Sequence, residues 1–160
     1  SNSWREVKDN FILLGKLAGA TEQAKNIIND LEKLLQNTSQ PQNNIRIFVQ
    51  LNTAPLMTAG RDTFINDIIT YAGGENIGAK ATTKWPAFSM EEVIRSNPDI
   101  IIVSEMGEMT NAAKEIWQKF PDIKAVRDNR IYVMESDLLC QPTPVNFVKA
   151  VKQITEWISK

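Results

Sequence analysis

The sequence predicts an α/β fold: a Rossmann-like three-layer lobe with a mainly parallel sheet flanked by helices, preceded by a long helix. Short apolar runs rich in β-branched residues alternate along the chain with segments whose apolar residues recur at helical spacing. The run 100–103 is apolar without interruption, as expected of a parallel strand that is buried on both faces. In such sheets, ligands favour the loops beyond the carboxyl ends of the strands.

Length and composition restrict the possible functions. The chain has 160 residues, which suits one domain with an appendage, and a net charge of −1, which gives no positive field for nucleic acid. Histidine is absent and Cys140 is the lone cysteine, so the commonest general base, an internal disulfide and multi-cysteine metal sites are excluded. No apolar run approaches the roughly 20 residues that span a bilayer.

Two helices are predicted at the start of the chain. Apolar residues recur at helical spacing over residues 4–18, and again over residues 21–37, where Thr21 is a suitable N-cap. The second helix is predicted to be the longest. The polar segment 37–44, which contains Pro41, is predicted to be a linker.

The compact domain is predicted to begin with a buried strand at 45–51, followed by a loop over 52–60. Asp62 is the predicted cap of the next helix, and Gly73-Gly74 the predicted end of that helix. A short strand is expected near 75–78.

The segment 84–94 combines a stiff loop with a well-defined helix start. Ser89 and Glu92 have the S-x-x-E spacing of a capping box, so the helix is predicted to start at Ser89. Phe88 and Val93 occupy the positions of a hydrophobic staple. Pro86 restricts the preceding residue, Trp85, to extended conformations. Trp85 is therefore a candidate binding platform, although packing against the core is an equal alternative.

The remaining elements follow the same alternation. After the strand at 100–103, a helix is predicted from Thr110 up to Pro121. Residues 123–126 lead through a turn at 127–130 to a strand at 131–134. The last helix is predicted to begin near Thr143, with Pro144 in its first turn.

Few residues suggest catalysis or metal binding. Gly73-Gly74 lies at a helix end and matches no phosphate-binding motif. Four aspartates each have a local alternative role as a cap or a strand-edge charge: Asp62, Asp67, Asp99 and Asp137. No catalytic residue, metal ligand or cofactor is therefore predicted. Glu91 should point outward near a helix start, where it either complements the helix dipole or forms an intermolecular ion pair.

Several segments together resemble the C-terminal lobe of periplasmic binding proteins for metal chelates, which deliver cobalamin, ferric siderophores or haem to ABC importers. The resemblance is carried by these segments: Ala54-Pro55-Leu56-Met57-Thr58-Ala59-Gly60, Phe64-Ile65, Ala72-Gly73-Gly74-Glu75-Asn76-Ile77, Trp85-Pro86-x-x-Ser89-x-Glu91, Asn97-Pro98-Asp99-Ile100-Ile101 and Ala125-Val126-Arg127-Asp128-Asn129-Arg130-Ile131-Tyr132. The segment around Trp85 is most similar to that of cobalamin-binding members.

The resemblance implies a division of the chain into three parts. Residues 1–20 would be a remnant of an N-terminal lobe, 21–40 an inter-lobe helix and linker, and 41–160 the C-terminal α/β lobe. It also implies a monomer without catalytic activity, in the periplasm or anchored to the outer face of the cytoplasmic membrane.

The resemblance further assigns a role to each candidate site residue. The position of Trp85 lines the ligand cleft, and the position of Glu91 docks onto the membrane permease. The other cleft positions that the resemblance indicates are Asn52, Met57, Thr58, Met106 and Leu139. No arginine or tyrosine is obvious in those loops, which favours a weakly charged chelate such as cobalamin.

Three alternatives stay open at the level of the sequence. A ferric siderophore or haem could replace cobalamin as the ligand. The lobe could belong to a sensor or adaptor that no longer takes part in transport. An enzyme on a similar scaffold is the third alternative, since fold alone does not determine function, although the absence of histidine and of a nucleotide-binding motif counts against it.

Overall fold

The computed structural model describes residues 3–38, 44–105 and 108–160. The helices are α1 Trp4–Leu17, α2 Thr21–Thr38, α3 Phe64–Tyr71, α4 Met90–Ser96, α5 Glu108–Gln118, α6 Lys124–Arg127, α7 Ser136–Cys140 and α8 Pro144–Ile158, with a 3₁₀ turn at Ile77–Lys80. The strands are β1 Ile45–Gln50, β2 Asn52–Thr53, β3 Leu56–Met57, β4 Gly74–Asn76, β5 Ile100–Glu105 and β6 Ile131–Glu135. Among these described helices, none is long and apolar enough to cross a membrane.

Four strands form one parallel sheet in the order β4-β1-β5-β6. The chain leaves β1 through α3 to β4 on one side, then crosses back through α4 to β5 on the other side of β1. The strand order therefore reverses between β1 and β5, which is the topological switch point where ligands bind in open α/β sheets. The predicted α/β class with a parallel sheet is confirmed.

Alternate side chains of the central strands point into two separate cores. Ile47 of β1 and Ile102 of β5 pack on the side of α1, α2, α3, α7 and α8. Phe48 and Ile101 pack on the other side, against α4, α5 and α6. Because both faces of β1 and β5 are covered, the fold has three layers, as the uninterrupted apolar run 100–103 predicted.

The helical hairpin of α1 and α2 is joined to the lobe at one end and open at the other. Trp4 stacks on Phe147 of α8 with ring centroids 4.4 Å apart, and the Trp4 backbone N–H donates to the Asp67 carboxylate at 2.8 Å. Trp4 and Val7 thus belong to the core of the α/β lobe. At the opposite end a groove of about 280 Å³ is lined by Phe11, Leu14, Gly15, Ala18, Ala20, Gln23, Ala24 and Ile27.

Helix starts follow the predicted capping chemistry with three corrections. The Ser89–Glu92 capping box and the Thr143 cap of α8 are confirmed. The cap of α3 is Thr63 rather than Asp62, because Asp62 has a φ of +59° and the Thr63 hydroxyl accepts the Asn66 N–H. Thr21 and Thr110 lie within the helices that they were expected to cap.

Several short elements were not predicted or were displaced, among them α6, a helical turn at Lys124–Arg127 leading into the predicted turn. Residues 52–57, expected to be loop, contain the β2–β3 hairpin, and the segment after β6 forms α7. The strand expected at 75–78 is β4, which ends at Asn76 before the 3₁₀ turn. Gly73, with a φ of +87°, ends α3 as predicted, while Gly74 already belongs to β4. Most of the predicted linker, residues 39–43, lies outside the described residues.

Candidate functional site

An apolar pocket of about 230 Å³ lies at the carboxyl ends of the strands. Its lining residues are Leu51, Phe64, Ile65, Trp85, Leu139, Cys140 and Pro142. They come from the residue directly after β1, the first turn of α3, the loop before α4, and the helix and loop after β6. The topology of the parallel sheet therefore brings residues that are distant in the sequence to one edge.

Trp85 forms one wall of this pocket. The residue is 49% exposed, while its neighbour Pro86 is buried and the Phe88 side chain packs into the core beneath α4. The capping box at Ser89 fixes where α4 begins, with the Glu92 backbone N–H donating to Ser89 Oγ at 3.2 Å. Trp85 therefore sits half-exposed on a segment whose two flanks are held.

A second, much smaller pocket marks the switch point between β1 and β5. It is lined by Gln50, Leu51, Asn52, Thr53, Val103, Ser104 and Ala113. Gln50 is ordered there because its side-chain oxygen accepts the Trp117 indole N–H at 2.7 Å and its amide donates to Thr53 at 3.0 Å. Leu51 lines both pockets, so Asn52 lies one residue away from the larger pocket.

The structure brings two of the predicted cleft residues together, Trp85 and Leu139. Met57 is half-buried in β3, opposite Asn52 of the hairpin. Thr58 is fully buried, and its hydroxyl has no hydrogen-bond partner among the described residues. Because Thr58 presents no surface, we do not include it among the proposed ligand contacts. Met106 lies outside the described residues.

The predicted docking residue lies outside this pocket. Glu91 is exposed in the first turn of α4, six positions after Trp85. Its neighbour Glu92 accepts the Ser89 N–H at 2.6 Å, and the backbone and side-chain hydrogen bonds from Ser89 lower the pKa of Glu92. Glu92 is thus occupied locally, whereas the Glu91 carboxylate is presented to solvent.

The lining of the larger pocket carries no formal charge at neutral pH. Burial, and then the nearby Asp137 charge, raise the pKa of the Cys140 thiol, which keeps it neutral. The other lining side chains are aliphatic or aromatic. Within the described residues no three histidine, cysteine, aspartate or glutamate side chains are grouped closely enough to hold a metal ion. This pocket can provide apolar and aromatic contact rather than metal ligation.

Five lining residues were not predicted. Leu51 and Pro142 follow strand and helix ends on the binding edge, so the rule on carboxyl ends could have indicated them. Phe64 and Ile65 were assigned to the inner side of α3, and only the end of that helix reaches the pocket. Cys140 belongs to α7, an element without a clear signal in the sequence.

Comparison with known proteins decides the family. The pattern of the family described as periplasmic binding protein matches residues 1–138. The chain belongs to this family. The periplasmic binding protein match therefore covers every described element from α1 to β6 and ends within α7, before α8.

Individual relatives of this periplasmic binding protein have names that state a ligand or a transport role. The vitamin B12-binding protein of Vibrio cholerae is 27% identical over 96% of the chain and 55% of its own length. An uncharacterised ABC transporter substrate-binding lipoprotein of Bacillus subtilis is 24% identical over 99% of the chain and 51% of its own length. The chain thus spans about half the length of these curated relatives.

A solved structure shows the same fold. The crystal structure of a possible iron-binding, periplasmic solute-binding protein from Staphylococcus epidermidis superimposes with a TM-score of 0.85 and 27% identity. The superposition covers 64% of that protein's chain and 100% of the present chain. These relatives are described as binding proteins.

Proposed function

We propose that the chain is the C-terminal, chelate-binding lobe of an ABC importer's substrate-binding protein. It captures cobalamin or a related metal chelate and delivers it to a membrane permease, without catalysis. The observation that carries this proposal is the uncharged pocket around Trp85, at the ligand-binding edge of a lobe from the periplasmic binding protein family.

The pocket has the size of a partial site. At about 230 Å³ it is smaller than the roughly 300–1,000 Å³ that encloses a drug-sized ligand. A cobalamin or haem macrocycle could lay one face or edge against Trp85, Leu51 and Leu139, while the rest stayed outside. The lobe would therefore provide one side of a shared cleft.

The exposed groove between α1 and α2 suggests where the other half of such a protein packs. Leu14 and Ile27 line this groove and are exposed, next to a surface of small residues. Relatives about twice the length of the chain supply a candidate occupant, namely the lobe that the chain does not include. We propose that this lobe covers the groove, because solvent-exposed apolar patches mark contact surfaces.

The ligand class is proposed from the absence of charge in the lining. An uncharged wall suits the corrin face of cobalamin, and the vitamin B12-binding relative from Vibrio cholerae supports that choice. The Staphylococcus epidermidis relative, titled a possible iron-binding protein, supports haem or a ferric siderophore as the second candidate. Charged groups of either would be met by the other lobe.

The proposal also gives Glu91 a partner and the protein a location. An exposed carboxylate in the first turn of α4, beside the Trp85 loop, could pair with arginines of the permease. The lipoprotein relative supports anchoring to the outer face of the cytoplasmic membrane as an alternative to a free periplasmic protein.

Absorption titration tests the proposal. The chain is titrated with cyanocobalamin, haemin and a ferric hydroxamate, alone and within a two-lobe protein. We expect one chelate to change its visible spectrum, and Trp85→Ala to weaken that binding at least tenfold, about 1.4 kcal/mol. Val145→Ala, an exposed residue of α8 outside the pocket lining, is the matched control. Equal affinities of the parent and Trp85→Ala proteins would refute the cleft.

A further inference from the structure

The segment that carries Trp85 is paired with a neighbouring segment through its backbone. Residues 84–88 run antiparallel to residues 56–60, and Ala59 lies opposite Trp85 in this register. The pairing consists of three hydrogen bonds: Phe88 N–Leu56 O at 2.9 Å, Thr58 N–Pro86 O at 3.0 Å and Gly60 N–Lys84 O at 2.7 Å. The first two flank Met57 and Ala87, which lie opposite each other as a β-bridge. Trp85 is therefore held by a backbone ladder, not by its side chain alone.

The bonds on either side of Trp85 are donated by the 56–60 segment. Pro86 has no N–H and can only accept, so the ladder at this point depends on the amides of Thr58 and Gly60. The Gly60–Lys84 bond is the shortest of the three. It fixes the backbone immediately before Trp85.

Gly60 allows this close approach because it has no side chain. A Cβ atom at Gly60 would overlap the Thr83 carbonyl oxygen and would lie 3.3 Å from the Lys84 carbonyl oxygen. Both obstacles are backbone atoms, which cannot rotate away as a flexible side chain does. Any larger residue at position 60 must therefore separate the two segments.

The 56–60 segment is also held on the side that faces away from residues 84–88. The Ala59 carbonyl oxygen accepts a hydrogen bond of 2.9 Å from the buried Asn76 side chain, which also holds the Gly78 N–H at 3.0 Å. Gly78 itself packs so closely on the Ala59 carbonyl that it has no room for a Cβ. A methyl group at Gly60 would consequently displace residues 83–85 and leave 58–60 in place.

We propose that Gly60 is a positioning residue for Trp85: its missing side chain lets the Trp85 loop close onto the pocket edge. The inference that this geometry matters for chelate affinity rests on the proposed function. The inference that Gly60 sets the position of Trp85 does not.

Iodide quenching of tryptophan fluorescence tests the positional claim without any chelate. Trp85 is 49% exposed, whereas Trp4, Trp117 and Trp157 are 3%, 1% and 7% exposed, so iodide reports on Trp85. We expect Gly60→Ala to raise the quenching constant by up to roughly twofold, since about half of the residue is covered in the parent. The Trp85→Phe variant supplies the background signal.

Gly74→Ala is the matched control. A Cβ at Gly74 would lie 2.6 Å from Ile47 Cδ1 and 3.1 Å from Ile69 Cγ2, so it strains the core without touching residues 83–85. We expect its quenching constant to equal that of the parent. An unchanged constant in Gly60→Ala, or an equal rise in both variants, would overturn the proposal.

Two further measurements distinguish a failure of the positioning role of Gly60 from a failure of the proposed ligand. If Gly60→Ala does not fold, amide hydrogen exchange of the parent decides: a protected Gly60 N–H supports the ladder, and exchange at the rate of an exposed loop overturns it.

Cyanocobalamin titration then compares the variants, with an expected affinity loss of at least tenfold for Gly60→Ala and less than twofold for Gly74→Ala. A rise in quenching of Gly60→Ala alone, with no cyanocobalamin binding by the parent, supports the positioning role and contradicts cobalamin as the ligand.

Discussion

Ser89 and Glu91 are two positions apart and have separable roles. The Ser89 hydroxyl caps α4 by accepting the Glu92 N–H, while the Glu91 carboxylate extends into solvent. The first interaction stabilises the fold of the loop that carries Trp85. Within the part of the chain that the structure describes, the Glu91 carboxylate forms no hydrogen bond or ion pair, and its charge is favoured by its position near a helix N-terminus.

This separation predicts different effects on stability. Ser89→Ala should lower the free energy of unfolding by about 0.5–2 kcal/mol, the usual cost of removing a serine cap. Glu91→Ala should change it by less than about 0.5 kcal/mol, as an exposed substitution does. Urea denaturation of both variants measures the two values. A loss for Glu91→Ala as large as that for Ser89→Ala would show that Glu91 is structural and would remove the argument for docking.

For individual residues, the sequence predicted some structural features well and others not at all. The capping box at Ser89 followed from spacing, whereas Pro86 indicated a stiff segment but left an exposed and a core-packed Trp85 as equal alternatives. The pocket residues Phe64 and Ile65 did not, because helical periodicity indicates which side of a helix is buried but not which buried residue borders a cavity. Thr58 was expected in the cleft but is fully buried, with its methyl group close to Gly78.

At the scale of elements, Asp99 joins three parts of the lobe at the start of β5. Its carboxylate accepts hydrogen bonds from the Arg46 backbone N–H of β1 at 2.7 Å and from the Lys124 ammonium of α6 at 2.5 Å. Burial by itself would raise the pKa of Asp99, but these hydrogen bonds and the two positive charges hold it below its ordinary value. The ionised form is therefore favoured by the folded state.

The lowered pKa of Asp99 predicts that the stability of the protein depends on pH. Because the folded pKa of Asp99 is lowered, its contribution to stability is complete above the unfolded pKa of about 3.9 and is lost as pH falls through the folded pKa. Asp99→Asn should therefore be less stable than the parent at pH 7, with a difference that shrinks in acid. Urea denaturation between about pH 2.5 and 7 measures it. A difference that stays constant over this range would mean that the ion pairs do not contribute.

Element type was predictable where the local signal was strong, and was missed where elements are short. The buried strand β5 and the helix α8 were evident from their apolar patterns and caps. The β2–β3 hairpin and α7 have two and five residues per element, too few for a period to emerge. Asp62 failed as a cap because Thr63, one residue later, has the extended backbone that capping requires.

At the scale of the whole molecule, the first helix connects two regions with opposite character. Its N-terminal turn is buried against α8 through Trp4, and its C-terminal end carries Leu17, which is 78% exposed. The boundary predicted at residue 20 thus separates segments that share a core. Spacing in the sequence showed a helix here but could not show which end was covered, because that depends on Phe147, more than a hundred residues later.

This difference predicts contrasting effects of two substitutions in one helix. Trp4→Ala should cost about 3–5 kcal/mol of unfolding free energy, since it removes a buried aromatic from the core. Leu14→Ala, at a groove residue that is 63% exposed, should change the stability of the chain by less than about 0.5 kcal/mol, but should weaken association with a second lobe. Thermal and urea denaturation measure the unfolding free energies of the two variants. A similar cost for both would mean that the α1–α2 groove is already filled in solution.

Binding of a metal chelate at the Trp85 pocket can be followed through the reactivity of Cys140. This lone cysteine lines the pocket beside Trp85 and is exposed, so its alkylation by iodoacetamide at about pH 8.5 reports on occupancy. We predict that cyanocobalamin or haemin slows the alkylation, with half-protection at the concentration that gives half of the absorption change. An alkylation rate that is unchanged when the absorption titration has reached its plateau would contradict binding at this pocket, as would the absence of protection by every chelate tested.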